Sequence, residues 1–286
     1  MTYKVGKIMK IREATIEDWG ELYKFYKRIY RENHPLQNKK FWVWQYGNVK
    51  QGKAFICLND IGEVVGHVGA NFGNNIAWII NVYLDLEFRG KGVLRQLYDL
   101  AREYYPLAAT AANDAGLGLY RNMKWIRYYD LVRYVKINPK VKSPTTENIC
   151  LPIELELYSI SYNEGHYFNQ PRMNGVKINN STGVAQLKVG GLRLVDIDVE
   201  EIKLTEKKAW ELGFLWIDYI TSWNDLKIKE FEKNNWVLDY KSVVPWRLNP
   251  IEKDYFCDIT FLSEKPLDNK FIVNRSYSDH GRIGSI

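Results

Sequence analysis

The stretch IAWIINVYLDLEFRGKGVLRQLYDLA, residues 76–101, changes hydrophobic period partway along, and that change decides the fold. From Ile76 to Leu86 it is rich in β-branched and aromatic residues and reads as a strand buried on both faces. From Val93 onward the apolar positions are Val93, Leu97, Leu100, Ala101 and Tyr104, which is helical spacing. Between the two lies Phe88-Arg89-Gly90-Lys91-Gly92, a glycine-punctuated turn with two cations. A strand entering a helix through such a turn aims several backbone N–H groups, and the positive end of the helix dipole, at one spot suited to a phosphate. A tight connection that merely carries surface cations is the plainer alternative.

Upstream, Tyr3 to Ala14 alternates and reads as a first strand. Thr15 with Asp18 marks the start of a helix over residues 16–32, which stops before His34-Pro35 because proline disfavours helix in its predecessor. The cluster Phe41-Trp42-Val43-Trp44-Gln45-Tyr46 predicts a short helix packing its aromatics into the core, with rings lining an acceptor pocket as the sharper alternative. Ala54–Leu58 and Glu63–Asn71, joined at Asn59-Asp60-Ile61-Gly62, read as a hairpin. Downstream, Pro106 to Ala112 is a small-residue strand, NDAGLGLYRNMKW (113–125) a helix, and Ile126 to Val135 a closing strand.

Arg89-Gly90-Lys91-Gly92 resembles the acyl-CoA signature of the GCN5-related N-acetyltransferase (GNAT) superfamily, Arg/Gln-x-x-Gly-x-Gly/Ala. Arg89 and Gly92 fill the first two fixed positions, and Leu94 stands where the pattern has Gly or Ala. Residues 113–125 resemble the next landmark, Asn-x-x-Ala followed by Leu-Tyr and Gly-Phe; Gly116 replaces the Ala, and Lys124-Trp125 the Gly-Phe. The element order β-α-α-β-β-β-α-β-α-β is that of the family. The resemblance implies an α/β (α+β) fold, a mostly antiparallel mixed sheet flanked by helices, and acetyl-CoA as acyl donor with no metal.

It also implies roles. Strands Ile79–Leu86 and Leu107–Ala112 splay around the pantetheine arm, with Leu84 and Leu86 on the first. Gly90, Lys91, Gly92, Val93 and Leu94 wrap the pyrophosphate and Arg89 adds charge. Asn113 bonds the pantetheine or caps its helix. Tyr120 protonates the departing thiolate or is simply packed. For the base, His67 has a suitable ordinary pKa and Asn81 and Tyr83 occupy the strand before the turn; Glu63, Asp85 and ordered water are alternatives.

Shifted by 111 positions, Asn113-Asp114 falls on Asn224-Asp225, Trp125 on Trp236, Tyr129 on Tyr240 and Val132 on Val243, while Tyr120 meets Phe231. This predicts two tandem lobes: residues 1–138 binding acyl-CoA, a linker at 139–147, and a degenerate copy at 148–286 that lacks the phosphate turn and completes the acceptor site. Independent packing of the second lobe is the alternative.

Composition bounds the rest. Three scattered cysteines and four scattered histidines fit neither a disulfide framework nor a metal site, and predict a cytoplasmic protein. The net charge of +6 is spread along the chain, which favours a polyanionic small molecule over nucleic acid. No apolar run has the length of a membrane span. The expected partner is a small-molecule amine, with oligomeric state open. The run Val273-Asn274-Arg275-Ser276-Tyr277-Ser278-Asp279-His280-Gly281-Arg282 resembles tails of two-lobed proteins of bacterial surface-polysaccharide synthesis, which favours an amino sugar, on a nucleotide carrier or free. Aminoacyl transfer, as in other doubled members of the fold, and a non-catalytic sensor that binds CoA or an acylated ligand are the alternatives.

Overall fold

The computed structural model describes residues 9–32, 34–73, 75–111, 114–141, 160–161, 167–168, 175–186, 190–222, 224–239, 260–268 and 270–273. The chain forms two compact units, Met1–Ala109 and Thr110–Ile286.

In the first unit, β1 (Lys10–Glu13) leads through a 3-10 turn, Ile16–Asp18, into α1 (Trp19–Ile29). The turn is held by one carboxylate: Asp18 accepts from the Thr15 N–H at 2.8 Å and from both terminal nitrogens of Arg12 at 2.6 Å. The Arg12 guanidinium holds the Asp18 carboxyl below its ordinary range. Leu22, Phe25 and Tyr26, three and four residues apart, form the buried face of α1. The helix ends as expected before His34-Pro35. Asn38 caps α2 (Lys39–Tyr46) by accepting from the N–H groups of Lys40 and Phe41. Phe41, Trp42 and Tyr46 of that helix are core residues, as the sequence predicts.

Behind these helices lies a mixed sheet in the order β1-β2-β3-β4-β5, with β2 (Gly52–Leu58), β3 (Val64–Gly73), β4 (Ile76–Leu84) and β5 (Leu107–Ala111). The first three steps are antiparallel; β4 and β5 are parallel and joined by α3 (Val93–Arg102). A parallel step requires such a crossover.

The second unit begins with α4 (Asp114–Asn122), β6 (Ile126–Asp130) and β7 (Val132–Ile137). It continues through the short pair β8 (Ile160–Ser161) and β9 (Tyr167–Phe168), then β10 (Gly175–Ile178), β11 (Ser181–Gln186) and β12 (Gly191–Asp196). After these come α5 (Ile202–Glu211), β13 (Trp216–Thr221), α6 (Ile228–Lys233), β14 (Val237–Leu238) and β15 (Thr260–Ser263). A six-stranded sheet has the order β10-β11-β12-β13-β7-β14, and its one parallel step is β12 to β13 across α5. Three antiparallel strands, a helix and a parallel strand therefore occur in both units.

Residues 126–135 do not form the single closing strand expected from the sequence. The chain breaks at Leu131: β6 pairs with β15, from Ile126↔Ser263 to Asp130↔Thr260, while all six residues of β7 pair with β13. The cause is a buried charge. Arg133 on β7 donates through Nε to Asp218 at 2.8 Å and through Nη1 to Asp239 at 3.0 Å, and both carboxylates belong to the six-stranded sheet region. Arg193 adds a second donor to Asp218 at 3.2 Å, and the two guanidinium groups lie 5.5 and 5.7 Å from the Trp216 ring. Burying that arginine anywhere else would strand it without counter-charge. Of the expected linker, residues 142–147 lie outside the described residues.

Among the described residues no helix is long and apolar enough to cross a membrane.

Two measurements check these packing arguments. Replacing Asp218 with Ala leaves two buried guanidinium groups short of a carboxylate, and urea denaturation should show a loss of about 3–5 kcal/mol; wild-type stability would mean the cluster re-pairs freely. The second concerns His67 on β3, which is fully buried and whose pKa burial lowers from 6.5 to about 4. The unfolded chain therefore binds a proton that the native state refuses. The stability this contributes is complete above about pH 6.5 and is lost as pH falls toward 4, by at most about 1.4 kcal/mol per pH unit. A His67→Gln variant should lack that slope; an unchanged slope would assign it to other groups.

Candidate active site

The central feature of the first unit is where two neighbouring strands part. β4 and β5 are in register at Ala77↔Leu107, Trp78↔Ala108 and Ile79↔Ala109, and β4 then runs on to Leu84. On its other edge β4 carries a bulge. Its register with β3 goes from Ile80↔Gly69 to Tyr83↔His67, so Asn81 and Val82 together oppose Val68. An extra residue bends a strand and sharpens its twist, which turns β4 out of line with β5. Asn81 adopts φ 51°, the left-handed region that asparagine tolerates better than other residues with a side chain.

A chain of hydrogen bonds holds the bulge. The Trp42 indole N–H donates to the Tyr26 hydroxyl at 3.1 Å, and that hydroxyl lies 2.9 Å from His67 Nε2. His67 Nδ1 lies 2.8 Å from the Asn81 carbonyl. A carbonyl only accepts, so Nδ1 carries the proton; Nε2 then accepts, and the Tyr26 O–H supplies the donor. His67 is thus the neutral Nδ1–H tautomer, in keeping with its lowered pKa. The Asn81 side chain is tied as well, donating to the Tyr46 hydroxyl at 2.9 Å. Gly69 makes room for that phenol: a Cβ there would stand 2.2 Å from the Tyr46 oxygen.

Beyond the bulge the strand ends at Leu84, two residues earlier than the sequence predicts. Leu86 instead opens a 3-10 turn, Leu86–Phe88, and is 77% exposed, while Leu84 is buried. Asp85 fixes the corner, since its carboxylate accepts two 2.8 Å bonds from Arg28. Phe88 is buried beneath the turn, and the Lys91 ammonium lies 5.4 Å from the centre of its ring. Arg89 is exposed, with its Nε donating to the Leu84 carbonyl at 2.9 Å. Gly90 and Gly92 take φ of 74° and 75°, and among the described residues no atom lies within 4 Å of where their Cβ atoms would stand. The glycines are required by backbone conformation, and the space above them is open. Gly92 is the N-cap of α3, so the N-cap residue itself offers no side chain to the first N–H groups of that helix. Val93 is buried and Leu94 half-buried.

The residues singled out in sequence therefore separate into groups. Leu84, Leu86, Arg89, Gly90, Lys91, Gly92, Val93 and Leu94 lie on consecutive turns at the end of β4 and the start of α3. His67 and Asn81 meet at the bulge. Tyr120 lies in α4 of the second unit, buried, its ring stacked on Trp125 at 4.5 Å. Asn113 lies outside the described residues. Sequence reading missed Tyr26, Trp42, Tyr46 and Gly69 as supports of the bulge. The usable signal was Gly69 two residues after His67, a space on the face of β3 that carries the imidazole. Among the described residues no group of three or more His, Cys, Asp or Glu could hold a metal ion.

Residues 16–125 match the model of the acetyltransferase (GNAT) family. No curated protein matches the chain. Among solved structures, a candidate acetyltransferase from Pyrococcus horikoshii is similar over 93% of this chain and 92% of its own, with 17% identity and a TM-score of 0.50. A GNAT-family acetyltransferase from Staphylococcus aureus Mu50 is similar over 43% of this chain and 87% of its own (19% identity, TM-score 0.35). An N-acetyltransferase from Thermoplasma acidophilum, solved with coenzyme A, is similar over 42% and 91% (17% identity, TM-score 0.33). Residues 16–125 are thus similar to the GNAT acetyltransferase family, and the mixed α/β fold is similar almost end to end to that of the archaeal protein.

Proposed function

We propose that this chain transfers an acyl group, acetyl in our reading, from acyl-CoA to a primary amine of a small molecule. The observation that carries the proposal is the parting of β4 from β5 just before a turn with two left-handed glycines and a helix start whose N-cap residue offers no side chain. Such a turn fits a pyrophosphate, with the N–H groups of Gly90 to Leu94 converging on it and Arg89 and Lys91 adding positive charge. The edge of β4 from Ile80 to Leu84 would hold the pantetheine arm by backbone hydrogen bonds.

In the reaction, the neutral amine attacks the thioester carbon, the C–N bond forms, the C–S bond breaks, and the thiolate takes a proton. Tyr120 supplies that proton in this reading, which rests on its place in NDAGLGLYRNMKW. The proton lost by the amine passes to water. The protein groups considered for it are otherwise engaged: Asp85 by Arg28, Glu63 by Asn59, and His67 Nε2 by Tyr26.

We read residues 1–138 and 148–286 as tandem copies of one fold, supported by the strand order found in both units. The acceptor is, in our reading, an amino sugar, free or nucleotide-linked. That choice rests on the sequence of the C-terminal run, whose residues 274–282 lie outside the described residues.

Thiol release from acetyl-CoA, followed with a panel of amino sugars, aminoglycosides, polyamines and peptides, tests the activity. CoA-dependent acylation of at least one amine is expected, and CoA binding without turnover on any would favour a ligand-binding module. Arg89→Glu should weaken CoA binding by about tenfold or more in calorimetry, the equivalent of about one charge-assisted contact. Unchanged affinity in a folded variant would take the turn out of the site. Tyr120→Phe should lower the single-turnover rate by roughly a hundredfold and leave CoA affinity intact, the range that general-acid catalysis supplies. A wild-type rate would show that the ring only packs.

A further inference from the structure

The trans peptide is planar, so the N–H of Val82 points opposite to the carbonyl of Asn81. That carbonyl is held by His67 Nδ1. Whatever fixes the imidazole therefore fixes the plane of the Asn81–Val82 peptide, on the part of β4 that lies beyond its register with β5 among the described residues. We propose that His67, locked by Tyr26 and Trp42, is a positioning residue that sets this peptide plane and with it the alignment of the acyl carbonyl along β4. The inference rests on the acyltransferase reading above and deepens it.

Three features support it. The relay is directional: the Trp42 indole only donates, the Tyr26 hydroxyl and the imidazole each accept one bond and donate one, and the Asn81 carbonyl only accepts. It is buried: His67 is inaccessible, and Tyr26 and Trp42 are core residues. Titratable groups near the imidazole include the phenols of Tyr26 and Tyr46, at centroid distances of 5.3 and 5.9 Å, and Tyr83, its partner across β3 and β4; Phe25 lies at 6.4 Å. The low pKa of the ring agrees with an imidazole that stays neutral throughout the working pH range. A left-handed asparagine at a bulge is a strained conformation that surrounding contacts must maintain, and the His67 bond is one such contact.

The test separates positioning from proton transfer. Nitrogen-15 spectra of the wild-type protein should show His67 as the Nδ1–H tautomer without titration between pH 5 and 8; an Nε2–H tautomer or a titration in that range overturns the proposal. His67→Gln removes the donor near Nδ1, whereas His67→Asn places an amide N–H close to it. With acetyl-CoA and the best amine of the panel, His67→Gln should lose about tenfold or more in kcat, as a small misplacement of reacting groups does, while the Kd for CoA stays within twofold. His67→Asn should recover a large part of that rate and keep the wild-type pH profile of kcat/KM. Tyr26→Phe should show a smaller loss of the same kind, and serves if either His67 variant fails to fold. Wild-type kcat in His67→Gln overturns the proposal, as does an acidic limb of the profile that vanishes in both His67 variants, the mark of a base. A wild-type protein that neither binds CoA nor releases thiol overturns the acyltransferase reading itself.

Discussion

The hydrogen bond from His67 to the Asn81 carbonyl holds the bulge on which the parting of β4 from β5 depends. A parallel strand pair left to itself closes along its whole length, because every unpaired N–H and C=O is costly once buried. Here closure stops at Ile79 and Ala109, since the strand on one side carries an extra residue in a left-handed conformation. That conformation survives because both the carbonyl and the amide of Asn81 have buried partners. Those partners are His67 of β3, itself held by Tyr26 of α1, and Tyr46 of α2, so the aromatic packing of the two helices also holds the bulge.

The second unit shows what the same order of elements does without that device. Its parallel pair, β12 and β13, is in register from the first residue of each strand, Gly191↔Trp216, to Leu194↔Tyr219. Only Val195 and Asp196 of β12 lie beyond it, whereas Ile80–Leu84 do so in β4. Where the first unit has a neutral imidazole, the second buries a group of arginines and aspartates around Trp216. Such a group gains little net stability over an apolar core, yet it punishes any rearrangement that separates its members.

Much of this was legible in the sequence, for identifiable reasons. Period and punctuation set the strand, turn and helix over residues 76–101, because Gly90 and Gly92 allow backbone angles that few other residues can take. The bulge was not legible, since two residues opposing one leaves no mark in a period-two pattern of apolar residues. Nor was the division of residues 126–137 between two sheets. Both halves are equally apolar, and the deciding group, Arg133, looks like a surface charge until its partners 85 and 106 positions away are known.

The join at Leu131 also bears on how the molecule is made. β6 emerges from the ribosome about 130 residues before its native partner β15, which at ordinary elongation rates is a delay on the order of ten seconds. Local helices and hairpins form in microseconds, so α1, α2 and the β2–β3 hairpin have ample time to settle meanwhile. The six-stranded sheet likewise waits for β13 before β7 has an edge to join. β7 and β6 therefore gain their partners only once β13 and β15 have been made, and such long-range pairing belongs to the slow end of folding rates. During that wait β6 presents an unpaired edge, and its own composition, Ile126-Arg127-Tyr128-Tyr129-Asp130, places charge at two of five positions, a known safeguard against edge-to-edge association.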